Sequence, residues 1–208
     1  MHCEFVKLGN QEHIELAKLE TNVYDSLKLK KLLCEYPKDV GIFVSQVIAI
    51  TTFEARRILK IERPARFKLQ PQIKGMGQAS TTVPHKGERE YAGTLRFGRK
   101  FLSRMAKEYA LNKLRAKCLL QHTTAHEVYH LRESVLFPGR WTRDAFMKYE
   151  DSPWESDRGE YAAELFATKF VLSRLKSESA FNLHRYLFAI EILSDLAEMK
   201  KVRLEEGY

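Results

Sequence analysis

Cysteine is scarce. The 208 residues hold three, Cys3, Cys34 and Cys118, an odd number without a C-x-x-C pair. That excludes a disulfide scaffold and zinc-finger spacing, and it suits a reducing compartment. Between Met1 and Asn10 no basic segment leads into an apolar one, so no secretory signal is expected. Long apolar runs are also missing. The longest, Val40 to Ile50, is interrupted by Ser45 and Gln46, whereas a bilayer span needs about 20 apolar residues. A cytoplasmic protein with no membrane partner is the expectation. Residues 71–90 hold Pro71, Gly75, Gly77, Pro84 and Gly87, which predict a mobile loop, and the connection from Pro138 to Asp157 is again rich in glycine, proline, tryptophan and acids.

What is present suffices for a core. Hydrophobic residues make up 44% and charged residues 30% of the chain, which fits one compact domain. The net charge is +8, so contact with nucleic acid or an acidic partner is permitted. Basic residues cluster at Lys28–Lys31, Arg56–Arg57, Arg63–Lys68 and Arg96–Lys117. No nucleic-acid-binding motif or aromatic–basic stacking motif accompanies them, and solvated helix faces account for such clusters.

Periodicity predicts an α+β fold, mainly helical with a small antiparallel or mixed sheet. Residues 11–35 have helical spacing at Ile14, Leu19, Val23, Leu27 and Leu32, and Pro37 ends that segment. Residues 39–60 read as an apolar helix, although the β-branched run Val40–Thr52 also suits a strand. Alternation predicts strands at 64–70 and at Gly93–Phe97. Residues 104–117 and 118–133 read as one long helix or two in sequence, 160–175 as another, and a last helix follows Ser177 or Ser179.

The most informative stretch is His126-Glu127-Val128-Tyr129-His130. Helical residues i and i+4 lie one turn apart on one face. Two imidazoles placed so can hold one Zn²⁺, and the glutamate after the first can take a proton from water on the metal. Thr123, Thr124, Ala125, Val128 and Leu131 around the pair are uncharged, unlike a solvated helix face. A catalytic zinc takes three protein ligands and keeps a fourth position open. Position 136 is leucine, so the extended pattern with a third histidine is excluded, and the third ligand is expected on a later helix. Glu160 is the first candidate. Glu155, Asp157 and Glu164 are the alternatives. Glu164, one turn beyond Glu160, is placed to hold the other ring nitrogen of a ligand histidine. His122, at i−4 from His126, is a candidate for a neighbouring hydrogen bond. His184 and Tyr186 are candidates to stabilise developing negative charge. Trp141, Tyr149 and Trp154 either wall the cleft or anchor a long loop.

The order H-E-x-x-H, some thirty residues, then Glu160-x-x-Ala163-Glu164-x-Phe166-Ala167 and the apolar Phe170-Val171-Leu172 resembles the ImmA/IrrE-like metallopeptidases, small cytosolic glutamate-zincins. The likeness covers roughly residues 64–175. In that family the second motif usually reads E-x-E-A-N-x-F-A with a later proline. Here Ala162 replaces the inner glutamate, Glu164 replaces asparagine, no proline follows, and Tyr129 stands where glycine is frequent. The resemblance implies a zincin-like core over 61–208 with a C-terminal helix, preceded by an N-terminal helical segment, 1–60. It also implies one Zn²⁺ on His126, His130 and Glu160, Glu127 as general base, and a protein or peptide substrate, which these departures leave unspecified. It further implies a strand beside the cleft that pairs with extended peptide, for which Tyr91–Arg99 is the candidate; the alternative is an ordinary hairpin strand. The alternative from another class is a basic nucleic-acid- or repressor-binding regulatory protein whose zinc is structural or inactive.

Overall fold

Six helices and one three-stranded sheet make up the computed structural model over the residues described, 9–70, 79–82, 90–136 and 153–177. The architecture is mainly helical α+β with a small mixed sheet. No helix among the described residues is long and apolar enough to cross a membrane.

The N-terminal helices form where apolar spacing predicts, with one difference. Helix α1 (Asn10–Ser26) starts at Gly9, whose N–H donates to Glu12 Oε2 at 2.9 Å. The sequence pattern runs on to residue 35, but the chain breaks at Lys28, which adopts a left-handed φ of 51°, before the single turn α2 (Leu29–Leu32). That conformation costs a lysine about 1–2 kcal/mol. The break lets both Leu27 and Leu29 become fully buried, and each contributes roughly 1.5–3 kcal/mol by leaving water. Helix α3 (Lys38–Ile58) resolves the ambiguity of the β-branched run in favour of helix. Val40, Val44, Val47, Ile48, Thr51 and Ala55 are buried at three- and four-residue intervals, so tertiary burial outweighs the small propensity penalty of valine and threonine.

Strands β1 (Ala65–Gln70), β2 (Ala79–Thr82) and β3 (Gly93–Gly98) lie in the order β1-β3-β2, with β1 parallel and β2 antiparallel to β3. Two expectations are corrected. Residues 79–82 form a strand inside what reads as loop. Only Thr81 and Thr82 signal it, and four residues between glycine- and proline-rich flanks give no alternation. The segment Tyr91–Arg99 supplies the middle strand, whose two edges are taken by β1 and β2, so it cannot also pair with a peptide. Gly93 is demanded by the packing: a Cβ there would sit 2.6 Å from the Thr82 carbonyl oxygen and 2.7 Å from Leu131 Cδ2.

Helix α4 (Arg99–Leu111) follows β3 directly, and α5 (Lys113–Leu136) follows α4 after one residue, Asn112. Asn112 has extended backbone, and its Oδ1 accepts the Arg115 N–H at 3.0 Å. This is the local competition by which asparagine ends one helix and caps the next, and it puts the division of the 104–133 stretch at 112 rather than after 117. Helix α5 is about 36 Å long at 1.5 Å per residue. It is buried on almost every side, with Leu120, Ala125, Val128 and Leu131 in the core. It packs against α3, α4, β2 and α6 (Pro153–Ser177). Ala163 and Ala167 are fully buried, and such small side chains let two helices approach closely. Tyr129 and Phe166 meet with ring centroids 5.7 Å apart, and an Arg174–Glu54 ion pair at 2.9 Å ties α6 to α3.

Candidate metal centre

One turn of α5 and one turn of α6 face each other and bring three donor groups together. His126 Nε2 lies 3.0 Å from Glu160 Oε2, His130 Nε2 lies 3.3 Å from Glu160 Oε1, and the two Nε2 atoms are 3.1 Å apart. Donors bound at 2.0–2.1 Å around a tetrahedral zinc are about 3.3–3.4 Å from one another. The separations observed therefore match a shared metal. Of the His, Cys, Asp and Glu residues described, this is the group of three whose donor atoms converge. His130 is buried, and the Glu160 side chain is 53% exposed, so the cluster is open on the α6 side.

The second nitrogen of each imidazole is held by a carboxylate. His126 Nδ1 lies 3.0 Å from Glu164 Oε2, and His130 Nδ1 lies 2.9 Å from Glu133 Oε2. When each Nδ1–H donates to its carboxylate, each Nε2 is left with a lone pair aimed at the common centre. Two lone pairs and a carboxylate oxygen about 3 Å apart repel unless positive charge stands among them. Glu127, Glu133, Glu160 and Glu164 place four carboxylates around two imidazoles, a surplus of negative charge that a divalent cation offsets. Two histidines and one glutamate are a donor set that can hold zinc.

The electrostatics of the cluster express the same surplus. Burial lowers the His126 pKa, but the Glu160 and Glu164 carboxylates outweigh it and push the ring up to about 10. His130 is pushed up to about 9, where burial is outweighed by Glu133 and Glu160. Burial raises the Glu160 and Glu164 carboxyls, yet the facing histidines hold both well below the ordinary carboxylate range, Glu164 at about 2. Glu127 goes the other way. Its burial raises it, against the opposing pull of His126, His130 and the Thr81 hydroxyl.

Thr81 of β2 fastens that glutamate. Its Oγ1 is 2.8 Å from both the Glu127 carbonyl oxygen and Glu127 Oε2. The hydroxyl has one proton to donate, and the Glu127 carbonyl and carboxylate oxygens share it. His122 sits behind the centre, with Nε2 at 3.1 Å from Glu164 Oε1 and 3.3 Å from Thr168 Oγ1. Glu164 thus bridges two histidines. His184, Tyr186, Trp141 and Tyr149 lie outside the described residues, and the side chains of Trp154, Glu155 and Asp157 do so as well.

Sequence reasoning missed two residues of the centre. Glu133 had a usable signal, since i+3 from His130 is the same helix face. Thr81 had none, because 46 residues separate it from Glu127. Replacing either Glu133 or Glu164 by glutamine is expected to leave zinc bound but weaken it by about 10–100-fold, the usual effect of removing a carboxylate that orients a ligand imidazole. Competition against a chromogenic chelator would read this, and unchanged affinity in both variants would refute the orienting role.

Compared with family models, curated proteins and solved structures, the chain matches none.

Proposed function

We propose that the chain is a zinc-dependent metallopeptidase-like hydrolase. One observation carries this reading: two Nε2 atoms and one carboxylate converge at tetrahedral spacing next to a buried glutamate. His126, His130 and Glu160 would hold one Zn²⁺, which when bound supplies a Lewis acid and renders water acidic near neutral pH. Glu164 and Glu133 keep the ligand rings in the tautomer that presents Nε2. Glu127, fixed by Thr81, takes the proton of the attacking water and returns it to the leaving nitrogen. Thr81 belongs to β2, and the β2 edge remote from β3 has no strand partner among the described residues. An extended peptide added there would run beside Glu127, with backbone hydrogen bonds that require no particular sequence. This edge supports a peptide over other amides, in agreement with the resemblance to small glutamate-zincins.

The test is metal content by mass spectrometry of the purified chain and of His126→Ala, His130→Ala and Glu160→Ala. The expected result is about one zinc per chain, lost in each variant. Zinc retained in Glu160→Ala alone would move the third ligand elsewhere, and no zinc in the parent after reconstitution would overturn the proposal.

A further inference from the structure

The outer face of the sheet, turned away from α5, carries side chains that the metal centre does not use. Strand register sets them in rows. Lys68, Arg96 and Ser80 form one, and Arg66, Thr94 and Thr82 the next. Gln70 follows beside Gly98. The rows are about 6–7 Å apart, two residues along a strand. Their neighbours in sequence, Ala65, Phe67, Leu95 and Phe97, are buried on the inner face. Lys68 is exposed, and Arg66, Arg96, Ser80, Thr82 and Thr94 are half-buried. No acidic residue occupies these rows among the described residues. Glu62 and Glu90 precede the strands at the Arg66 end.

Two further observations concern this face. The Arg66 guanidinium lies 4.1 Å from the centroid of the Tyr91 ring. Lys68 and Arg96 stand opposite each other on neighbouring strands. Like charges so placed destabilise a sheet, and a bound polyanion relieves that repulsion.

We propose that this face binds single-stranded nucleic acid. Lysine, arginine and side-chain hydroxyls are the groups that take phosphate oxygens, and the rows repeat them along the strand direction. The guanidinium–tyrosine pair offers a planar surface on which a base can stack. An acidic peptide would use the cations but not the stack. A duplex groove admits a helix or a two-stranded ribbon, not a flat face three strands wide. The exposed Arg99 and Lys100, where β3 passes into α4, extend the positive surface.

The experiment is fluorescence anisotropy of a labelled oligothymidylate of about twenty nucleotides, titrated with the full chain over a range of salt. Binding is expected, and Lys68→Gln/Arg96→Gln should weaken it roughly tenfold or more. The slope of log affinity against log salt should shrink by about 1.4, at 0.7 per lost phosphate contact. Tyr91→Ala should weaken binding with little change of slope. A control of equal charge, Lys30→Gln/Lys31→Gln on the exposed residues of α2, should leave it within about twofold. Circular dichroism confirms that the variants fold. Equal losses in the control pair, oligoglutamate competing as well as nucleic acid, tighter binding to the matching duplex, or no binding at low salt would each overturn the proposal. His130→Ala should bind the strand as the parent does, which separates this result from that of the metal centre.

Discussion

Zinc binding to the metal-free chain is expected to release between one and two protons at neutral pH. Its apparent affinity should climb by about ten- to a hundredfold for each unit of pH between roughly 6 and 8. The reason is a competition for Nε2. The carboxylates push His126 up to about 10 and His130 up to about 9, so below those values the rings hold protons that a metal must displace. The proton count falls short of two where the rings resist being charged together, since their Nε2 atoms are 3.1 Å apart. Calorimetry in two buffers of different ionisation enthalpy counts the protons, and an affinity that does not change with pH would refute the account. The sign for folding runs alongside. Histidines raised in the folded state stabilise the metal-free chain below about 6.5, and that contribution is lost as pH rises through 9–10. Glu164, held at about 2, stabilises above about 4.5 and loses its contribution as pH falls towards 2. Zinc should therefore extend stability on the alkaline side, where the protonated pairs no longer contribute.

Glu127→Gln is expected to keep its zinc and lose hydrolysis by about 10²–10⁴-fold, the range that proton transfer by a positioned base supplies. Glutamine retains the length of the side chain and an oxygen that accepts from Thr81, so the fold should stand. Burial raises Glu127. Its folded carboxyl therefore binds a proton more tightly than the unfolded one, and stability is lost as pH rises through the folded value. The variant should thus be at least as stable as the parent at neutral pH. Peptide-library digestion read by mass spectrometry, with zinc measured on the same samples, checks both parts. Cleavage at the parent rate with zinc bound would remove Glu127 from the chemistry.

Local spacing made much of this centre legible. The i, i+4 relation of His126 and His130, and of Glu160 and Glu164, is a property of a single helix, and the alanines at 163 and 167 signalled that two helices come close. Long-range pairing escaped the sequence reading. Whether Thr81 meets Glu127 depends on which strand takes the middle of the sheet, and four residues of β2 carry no periodic signal for that. The Arg66–Tyr91 stack is likewise invisible as a motif, because the two residues come from different parts of the chain and meet only through the sheet. The break at Lys28 was missed, and the one at Asn112 was expected five residues later if at all, for a related reason. Each interrupts an apolar pattern that continues beyond it, so periodicity alone bridges them.

Gly93 has neither a side-chain donor nor a charge, and its strand supplies none of the three converging side chains. A single methyl group there would press on the Thr82 carbonyl and on Leu131, parting β2 from α5 at the residue next to Thr81. In a screen for loss of function, substitutions at Gly93 would be recovered beside those at the histidines. A geneticist ranking positions by side-chain chemistry would overlook the one whose importance lies in having no side chain.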